Sequence, residues 1–518
     1  MDRPQPQTFI ESIARASMDV KQYQIDGVEW MCRREMTAVG DQSGGGILAD
    51  DMGLGKTAQM IGVMVTNQCE RTLVVVPRVL VDQWKQAIER QMGVSPLMYC
   101  GDKKRRVTSE EFTVARVVIT TYGSTLSTNN LINQHRWGRV IYDEGHRLRN
   151  NQTTQYRVAL STKADNRWFI TGTPVQNRLG DMTSLMNLLG IKYRSIRRSK
   201  DATDEEYARE KAIDLSDQSK SFVLRRTRAE VGRTIGVFNR QIIDHRIEVD
   251  WDTTENRSDA MDIHRGQMGS VVSVDVEGEV TCDLTSGEVV APPHTSREID
   301  RTQVIFPPRR RVTVRRRRRA TDSTHRFAVM NRQRQMCVCG PSHRQRLSSK
   351  LIRVIAEITG RRSNGCNKLV FTNYFREMSD LAEGLVEQGM EVITMSGGHT
   401  EKERRDILAL ARQPSETPEH TRVLIINIRS GSEGLNLPEF SEVYFPSPNW
   451  NPATEAQATA RCARTGQTKD VSVFRFHMAN LGGDNAGTMH SFDRYMKGVQ
   501  ETKLVVASAF ESHTIVPE

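Results

Sequence analysis

The sequence predicts an α/β protein of two lobes, each built on a parallel sheet, and three observations carry that prediction. Short β-branched runs recur through the first third of the chain, at Thr72 to Val76, Val117 to Thr120, Arg139 to Tyr142 and Trp168 to Thr171. Each is followed by a loop and then by helix-like sequence, the pattern of strand-helix repeats. The same rhythm resumes after residue 345, at Lys368 to Phe371, Glu391 to Met395, Arg422 to Asn427 and Glu442 to Phe445. Every cluster of chemically suggestive residues falls where such a run ends, which is the ligand-binding edge of an open parallel sheet.

A chain of 518 residues is too long for one ordinary domain and comfortable for two or three. The expected order is an extension over 1–21, a first α/β lobe over 22–190 and a helical protrusion and connection over 191–265. A basic insertion over 266–326, a second lobe over 327–480 and a C-terminal extension over 481–518 complete it. Within the insertion the alternating run Val271-Val272-Ser273-Val274-Asp275-Val276 reads as hairpin, and the prolines and arginines around it as linker. No repeat of solenoid period is present in the sequence.

Apolar content of 37% with 26% charged residues is that of a soluble globular chain, and no apolar run approaches the roughly 18 residues a membrane helix needs. The segment Met1 to Met18 is polar and lacks the apolar stretch of a secretory signal, so the expectation is an intracellular protein with no membrane partner. The eight cysteines are scattered, with only Cys337 and Cys339 close together, so reduced thiols are expected and zinc is not. A net charge of +10, from 73 basic and 63 acidic residues, favours an anionic partner, nucleic acid first among them.

The chemistry enters with Gly53-Leu54-Gly55-Lys56-Thr57. Glycines let backbone N–H groups close around a β-phosphate, Lys56 can reach the β/γ oxygens, and the Thr57 hydroxyl can sit on Mg²⁺. Gly46-Ile47-Leu48-Ala49 reads as the strand before this loop and Ala58-Gln59-Met60-Ile61 as the opening of the helix after it, although Asp50 stands where the first glycine is usual. Downstream, Asp143-Glu144-Gly145-His146 follows the run Val140-Ile141-Tyr142. Asp143 would complete a metal site and Glu144 would polarise an attacking water. The bland alternative is a solvated acidic turn. In the second lobe Asn451 can cap a helix with Pro452 at its first position and Gly466 at its end, so that Gln457, Arg461 and Arg464 share one face. That face is either a basic surface in solvent or a source of positive charge for a γ-phosphate.

Taken in order, these strings resemble a superfamily 2 ATPase of the SWI/SNF type, from about Gln22 to Phe476 apart from the insertion. The resemblance rests on Tyr23-Gln24 with Gly27 and Trp30, Ile47 through Thr57, Val75-Val76-Pro77 with Gln83-Trp84, and Asp143 through Asn150. Thr171-Gly172-Thr173-Pro174-Val175-Gln176-Asn177 and Leu224-Arg225-Arg226-Thr227 follow, then Val370 through Tyr374, Gly434 through Leu437, Trp450-Asn451-Pro452, and Gln457 through Gln467. Arg149-Asn150 and Arg167-Trp168 look like the branch of transcription-termination and RING-type repair translocases, without a RING cysteine pattern. Departures are Ser430-Gly431-Ser432-Glu433, Ala460, Cys462 and Thr465.

The resemblance implies two RecA-like lobes, with ATP and Mg²⁺ as cofactors. It implies that Gln24 reads the adenine, and that Asp51, Met52, Gly53, Leu54, Gly55, Lys56, Thr57 and Ala58 form the nucleotide cradle. Lys56, Asp143, Glu144, Arg461 and Arg464 would be catalytic, Thr57 and Asp143 would hold the metal, and His146, Gln176 and Gln457 would couple the site to DNA. The implied activity is translocation on double-stranded DNA through phosphate contacts, with nucleosomes, polymerase or other DNA-bound proteins as what it displaces. Its compartment would be the nucleus or another that holds DNA, the host nucleus or a replication site for a viral chain. Rivals are a strand-separating helicase and a weakly active scaffold. The run Arg315, Arg316, Arg317, Arg318 and Arg319 is either a phosphate grip, a nuclear-import signal or a solvated linker.

Overall fold

A computed structural model describes residues 6–37, 44–126, 131–172, 179–194, 196, 204–235, 241–251, 260, 322–339, 347–413, 422–428, 435–463, 467–481 and 490–511. The chain divides into two compact units, one of residues 1–239 with 451–460 and 501–518, the other of residues 240–450 with 461–500.

The first unit is organised by a seven-stranded sheet in the order β3-β4-β2-β5-β6-β1-β7. Its strands are β1 (Gly44–Leu48), β2 (Thr72–Val76), β3 (Leu97–Met98), β4 (Val117–Thr121), β5 (Trp137–Asp143), β6 (Ala164–Ile170) and β7 (Val223–Leu224), and every pairing is parallel. Helices cover both faces, which is why the central strands are continuous β-branched runs rather than alternating ones. Successive residues feed opposite cores: Leu73 and Val75 pack with Val140 and Phe169, whereas Val74 and Val76 pack with Ile141 and Trp84. The helix Pro6–Arg15 belongs to this packing, since Phe9 and Ile13 are buried in the second of those cores. The expected extension over 1–21 therefore carries part of the core.

Strand β5, which delivers Asp143, is pinned in its middle. Arg139 is fully buried and its Nε donates to Glu35 Oε1 at 2.6 Å, while Trp168 Nε1 donates to the same oxygen at 2.8 Å. A buried arginine is tolerated because the guanidinium fork and the carboxylate satisfy one another.

The second unit holds a six-stranded parallel sheet in the order β10-β11-β9-β12-β13-β8. Its strands are β8 (Ile242–Val249), β9 (Asn367–Thr372), β10 (Glu391–Met395), β11 (Arg422–Asn427), β12 (Phe440–Phe445) and β13 (Val471–Met478). Three expectations need correction here. The stretch 191–265, expected as a helical protrusion and connection, holds the helices Asp204–Ser219 and Arg228–Ile235 but also contributes one strand to each sheet, because Val223–Leu224 adds to β1 and Ile242–Val249 lies along β13. Residues after 481 are not an appendage, since Phe492 and Met496 enter the core of this unit and the buried Asp493 pairs with Lys350. The helix capped by Asn451 runs only from Pro452 to Thr459, well short of Gly466. Most of the 266–326 insertion, up to residue 321, lies outside the described residues.

A candidate nucleotide site on the first sheet

The loop between β1 and the helix Lys56–Thr66 is shaped by its glycines. Gly53 has φ of +87° and Gly55, at the helix N-cap, has φ of +74°, a region L side chains avoid. A Cβ on Gly55 would run into the Gln24 amide, and one on Gly53 would lie 2.9 Å from Arg228 Nη2. The first-turn N–H groups of this 11-residue helix thus open towards the loop with positive dipole, the condition for holding phosphate. Gly55→Ala is expected to weaken ATP binding about tenfold, the equivalent of the ~1–2 kcal/mol cost of a left-handed alanine. Titration with a fluorescent ATP analogue checks it, and an unchanged affinity would remove the cradle.

Lys56 Nζ rests on the carbonyl oxygens of Asp50 (2.7 Å) and Asp51 (3.1 Å). Burial pushes its ammonium below the usual range, against the pull of the carboxylates of Asp50, Glu144, Asp143 and Asp51. Asp51 also receives the backbone N–H of Arg228 at 2.9 Å and lies 3.4 Å from Arg225 Nη2. Leu54 is buried, and its carbonyl accepts from Tyr23 OH (3.2 Å), Gln24 Nε2 (3.3 Å) and Gln59 Nε2 (3.1 Å). Gln24 is therefore in place as a support of the phosphate loop from the preceding helix, Gln22–Met36. Met52 lies close against Gly172, and Ala58 is buried in the first turn of the helix.

Across the sheet edge, β5 ends at Asp143. Trp84 Nε1, from the helix Val81–Met92, donates to Asp143 Oδ2 at 2.7 Å, and Tyr122 OH donates to its backbone carbonyl at 2.7 Å. Burial first, and then the charge of Glu144, push the Asp143 carboxyl up to about 6, against the hydrogen bonds from Trp84 and the Glu144 backbone. Glu144 takes a left-handed conformation, φ 50° and ψ 49°, one of two non-glycine residues with positive φ among those described. Such a conformation costs a side-chain-bearing residue about 1–2 kcal/mol and persists where the surroundings hold it. It turns the Glu144 carboxylate towards His146, whose Nδ1 is 3.3 Å from Glu144 Oε2 and 3.4 Å from Thr171 Oγ1. The pair of crowded carboxylates fits a hard divalent cation. No group of three or more His, Cys, Asp or Glu side chains placed to hold a metal ion occurs among the described residues, so such a cation would draw on Thr57, Asp143, phosphate and water, the habit of Mg²⁺.

The structure adds residues to which the sequence assigned no role. Arg226 donates through Nε to Asp50 Oδ1 at 3.0 Å, through Nη2 to Asp50 Oδ2 and to Gln59 Oε1 (2.7 Å), and through Nη1 to the Tyr23 carbonyl. Arg225 Nη1 reaches the carbonyls of Ala49 (2.9 Å) and Gly172 (3.3 Å). Asp50 is fully buried, so the residue replacing the usual glycine is an anchor for the loop rather than a ligand. The only sequence signal was the string Leu224-Arg225-Arg226-Thr227.

In the second unit Arg461 is 4% exposed and follows its helix instead of lying on it, with its carbonyl accepting from Leu437 N at 2.9 Å. The single helical face expected for Gln457, Arg461 and Arg464 is thus corrected at Arg461. Gln457 is buried on the helix Pro452–Thr459, which groups with the first unit. Arg464, Gln176 and the run 315–319 lie outside the described residues.

A phosphate cradle and a paired-carboxylate strand end on one edge of a parallel sheet, in a chain with a second parallel α/β unit, define a P-loop ATPase of two lobes. Residues 23–252 match the SNF2-related domain family and residues 349–466 the helicase conserved C-terminal domain family. The chain belongs to the SWI/SNF-type superfamily 2 ATPases, helicase-like enzymes that hydrolyse ATP in dependence on DNA. It is 26% identical over 509 residues to the probable global transactivator of Orgyia pseudotsugata multicapsid polyhedrosis virus, covering 93% of this chain and 89% of that one. It is 25% identical to the ATP-dependent DNA helicase DDM1 of Arabidopsis thaliana and 25% identical to the human chromodomain-helicase-DNA-binding protein 1, over 89% and 88% of this chain. It spans 59% and 25% of the lengths of those two.

Proposed function

We propose that this chain is an ATP-driven translocase on double-stranded DNA that displaces or remodels proteins bound there. The observation that carries the reading is the pairing of the glycine-shaped phosphate loop with Asp143 and Glu144 at the same sheet edge, each held by buried partners. Lys56, parked on two carbonyls, would turn its ammonium to the β/γ-phosphates once nucleotide arrives. Thr57 and Asp143 would hold Mg²⁺, which neutralises charge on the phosphates. Glu144 would orient and polarise the attacking water, and His146 would report the state of Glu144 to Thr171 and the segment that follows. Arg461 and Arg464 are the proposed source of positive charge for the γ-phosphate during turnover.

DNA as partner is supported by the family and by relatives named as a DNA helicase and a DNA-binding protein. Phosphate contacts would make binding independent of sequence. Nucleosomes and polymerases are both candidate obstacles, and the site of action is a compartment that holds DNA.

Steady-state ATPase activity without nucleic acid, and with single-stranded DNA, double-stranded DNA or RNA, tests this, with Lys56→Ala as the blank. Duplex DNA is expected to raise turnover at least about tenfold, with strand displacement absent and displacement of a duplex-bound blocking protein present. Stimulation mainly by single strands, together with strand separation, would replace the translocase with a helicase. No hydrolysis under any condition would replace it with a scaffold.

A further inference from the structure

Strand β3 forms one margin of the first sheet and leads, past the buried Tyr99, into the 3-10 turn Gly101–Arg106, with sequence Gly-Asp-Lys-Lys-Arg-Arg. Four consecutive cations in an exposed turn are ordinarily a solvated face, but the geometry here sorts them. Lys104 folds inward, with its Nζ 3.1 Å from the Ser124 carbonyl and 5.0 Å from the centre of the Tyr99 ring. Lys103, Arg105 and Arg106 are left exposed on the outside. None of these three has an ion-pair partner among the described residues, whereas other surface cations of this unit do: Arg33 with Glu29, Lys85 with Glu89 and Arg136 with Asp165.

The segment 101–111 carries three carboxylates, Asp102, Glu110 and Glu111, against four cations, and none of the three forms an ion pair with Lys103, Arg105 or Arg106 among the described residues; Glu111 instead accepts the Thr108 backbone N–H at 2.9 Å in a capping box. Lys103 and Arg106 stand one 3-10 turn apart and so on the same side, a short row rather than a scattered set. The strands are all parallel, and the turn leaves β3 at its carboxyl end, the edge that also bears the phosphate loop and Asp143. A structural path joins the two. Ser124, which holds Lys104, bonds Thr121 through its hydroxyl at 2.9 Å, and the adjoining Tyr122 donates to the Asp143 carbonyl.

We propose that the turn Gly101–Arg106 docks on the phosphate backbone of duplex DNA, with Lys103, Arg105 and Arg106 as its cations and Lys104 as the residue that sets its shape. The inference rests on the duplex-DNA reading above and adds a location on the first unit that no motif marked. Because the cations pair with phosphates, they release counterions and leave a signature in the salt dependence of binding.

The test is binding of the whole protein and of the triple variant Lys103→Gln, Arg105→Gln, Arg106→Gln to a 30-base-pair duplex, to the single strand and to duplex RNA across a salt series. The slope of log affinity against log salt is expected to be shallower in the variant by about 2–3, near 0.9 for each phosphate no longer neutralised. Affinity at moderate salt is expected to fall at least about tenfold for duplex DNA. The DNA-free ATPase rate should be unchanged, which shows that the variant is folded. A variant with the parental duplex slope would overturn the docking site while leaving the translocase reading intact. Weakening confined to the single strand or to RNA would also overturn it. A parental protein that fails to bind duplex DNA at all would sink the translocase reading and this inference with it.

Discussion

Replacing Glu144 by Gln should leave ATP binding within about threefold of the parental value and lower turnover by roughly 10²–10⁴, the range for loss of a positioned general base. The separation follows from where Glu144 sits. Its carboxylate is not part of the glycine cradle; it faces His146 across 3.3 Å, at the end of a strand whose neighbouring Asp143 is fixed by Trp84 and Tyr122. The amide is isosteric and needs the same left-handed backbone, so the strain at φ 50° is carried over unchanged. Removing one of two crowded negative charges should, if anything, ease the approach of a triphosphate. Stopped-flow nucleotide binding and single-turnover hydrolysis read the two effects apart. A variant that hydrolyses ATP at the parental rate would assign the water to another residue, and one that loses binding would make Glu144 part of the cradle.

The parts of this fold that are legible in sequence are those whose burial leaves a local trace. Strands β2, β10 and β11 appear in the structure with the residue bounds expected of them: β2 and β11 are interior parallel strands buried on both faces, which must be short β-branched runs, and β10, at one margin of the second sheet, is buried over four of its five residues and keeps the same trace. The strands without such a trace lie at the margins. β8 reads Ile-Ile-Asp-His-Arg-Ile-Glu-Val and is largely exposed, and β3 and β7 are two residues each. Edge strands of this kind are charged or brief, so they carry no periodicity to find.

The candidate site divides in the same way. Gly53 through Thr57 and Asp143-Glu144 are contiguous strings whose chemistry is visible in order, whereas their supports come from far along the chain: Trp84 is 59 positions from Asp143, and Arg226 is 176 from Asp50. The helix after Asn451 reads too long in sequence because Gly466 looks like its stop. In the structure Ala460 closes it by bonding back to Ala456, and the Arg461 carbonyl is taken by Leu437, a tertiary bond with no local signature.

The supports also yield the second large effect. Arg226→Met should strip from Asp50, which is fully buried, the one cation whose side chain hydrogen-bonds its carboxylate among the described residues, and leave the Gln59 amide, at 3.0 Å, with the charge of Lys56 nearby. Breaking a buried ion pair from one side costs about 3–5 kcal/mol, because the partner's charge stays behind without compensation. The loss should appear as an early denaturant transition of the first unit. Nucleotide binding should weaken as well, since Arg226 also holds Gln59 and the Tyr23 carbonyl and so joins the Gln22–Met36 helix to the phosphate loop. The double variant Asp50→Asn, Arg226→Met removes both charges and should recover at least half of the lost stability, while nucleotide binding stays impaired because the loop has lost its tether. Full recovery of both would reduce the pair to a stability element. No loss in the single variant would mean that Asp50 does not depend on Arg226 in the folded chain, and the anchoring of the loop by Arg226 would have to be abandoned.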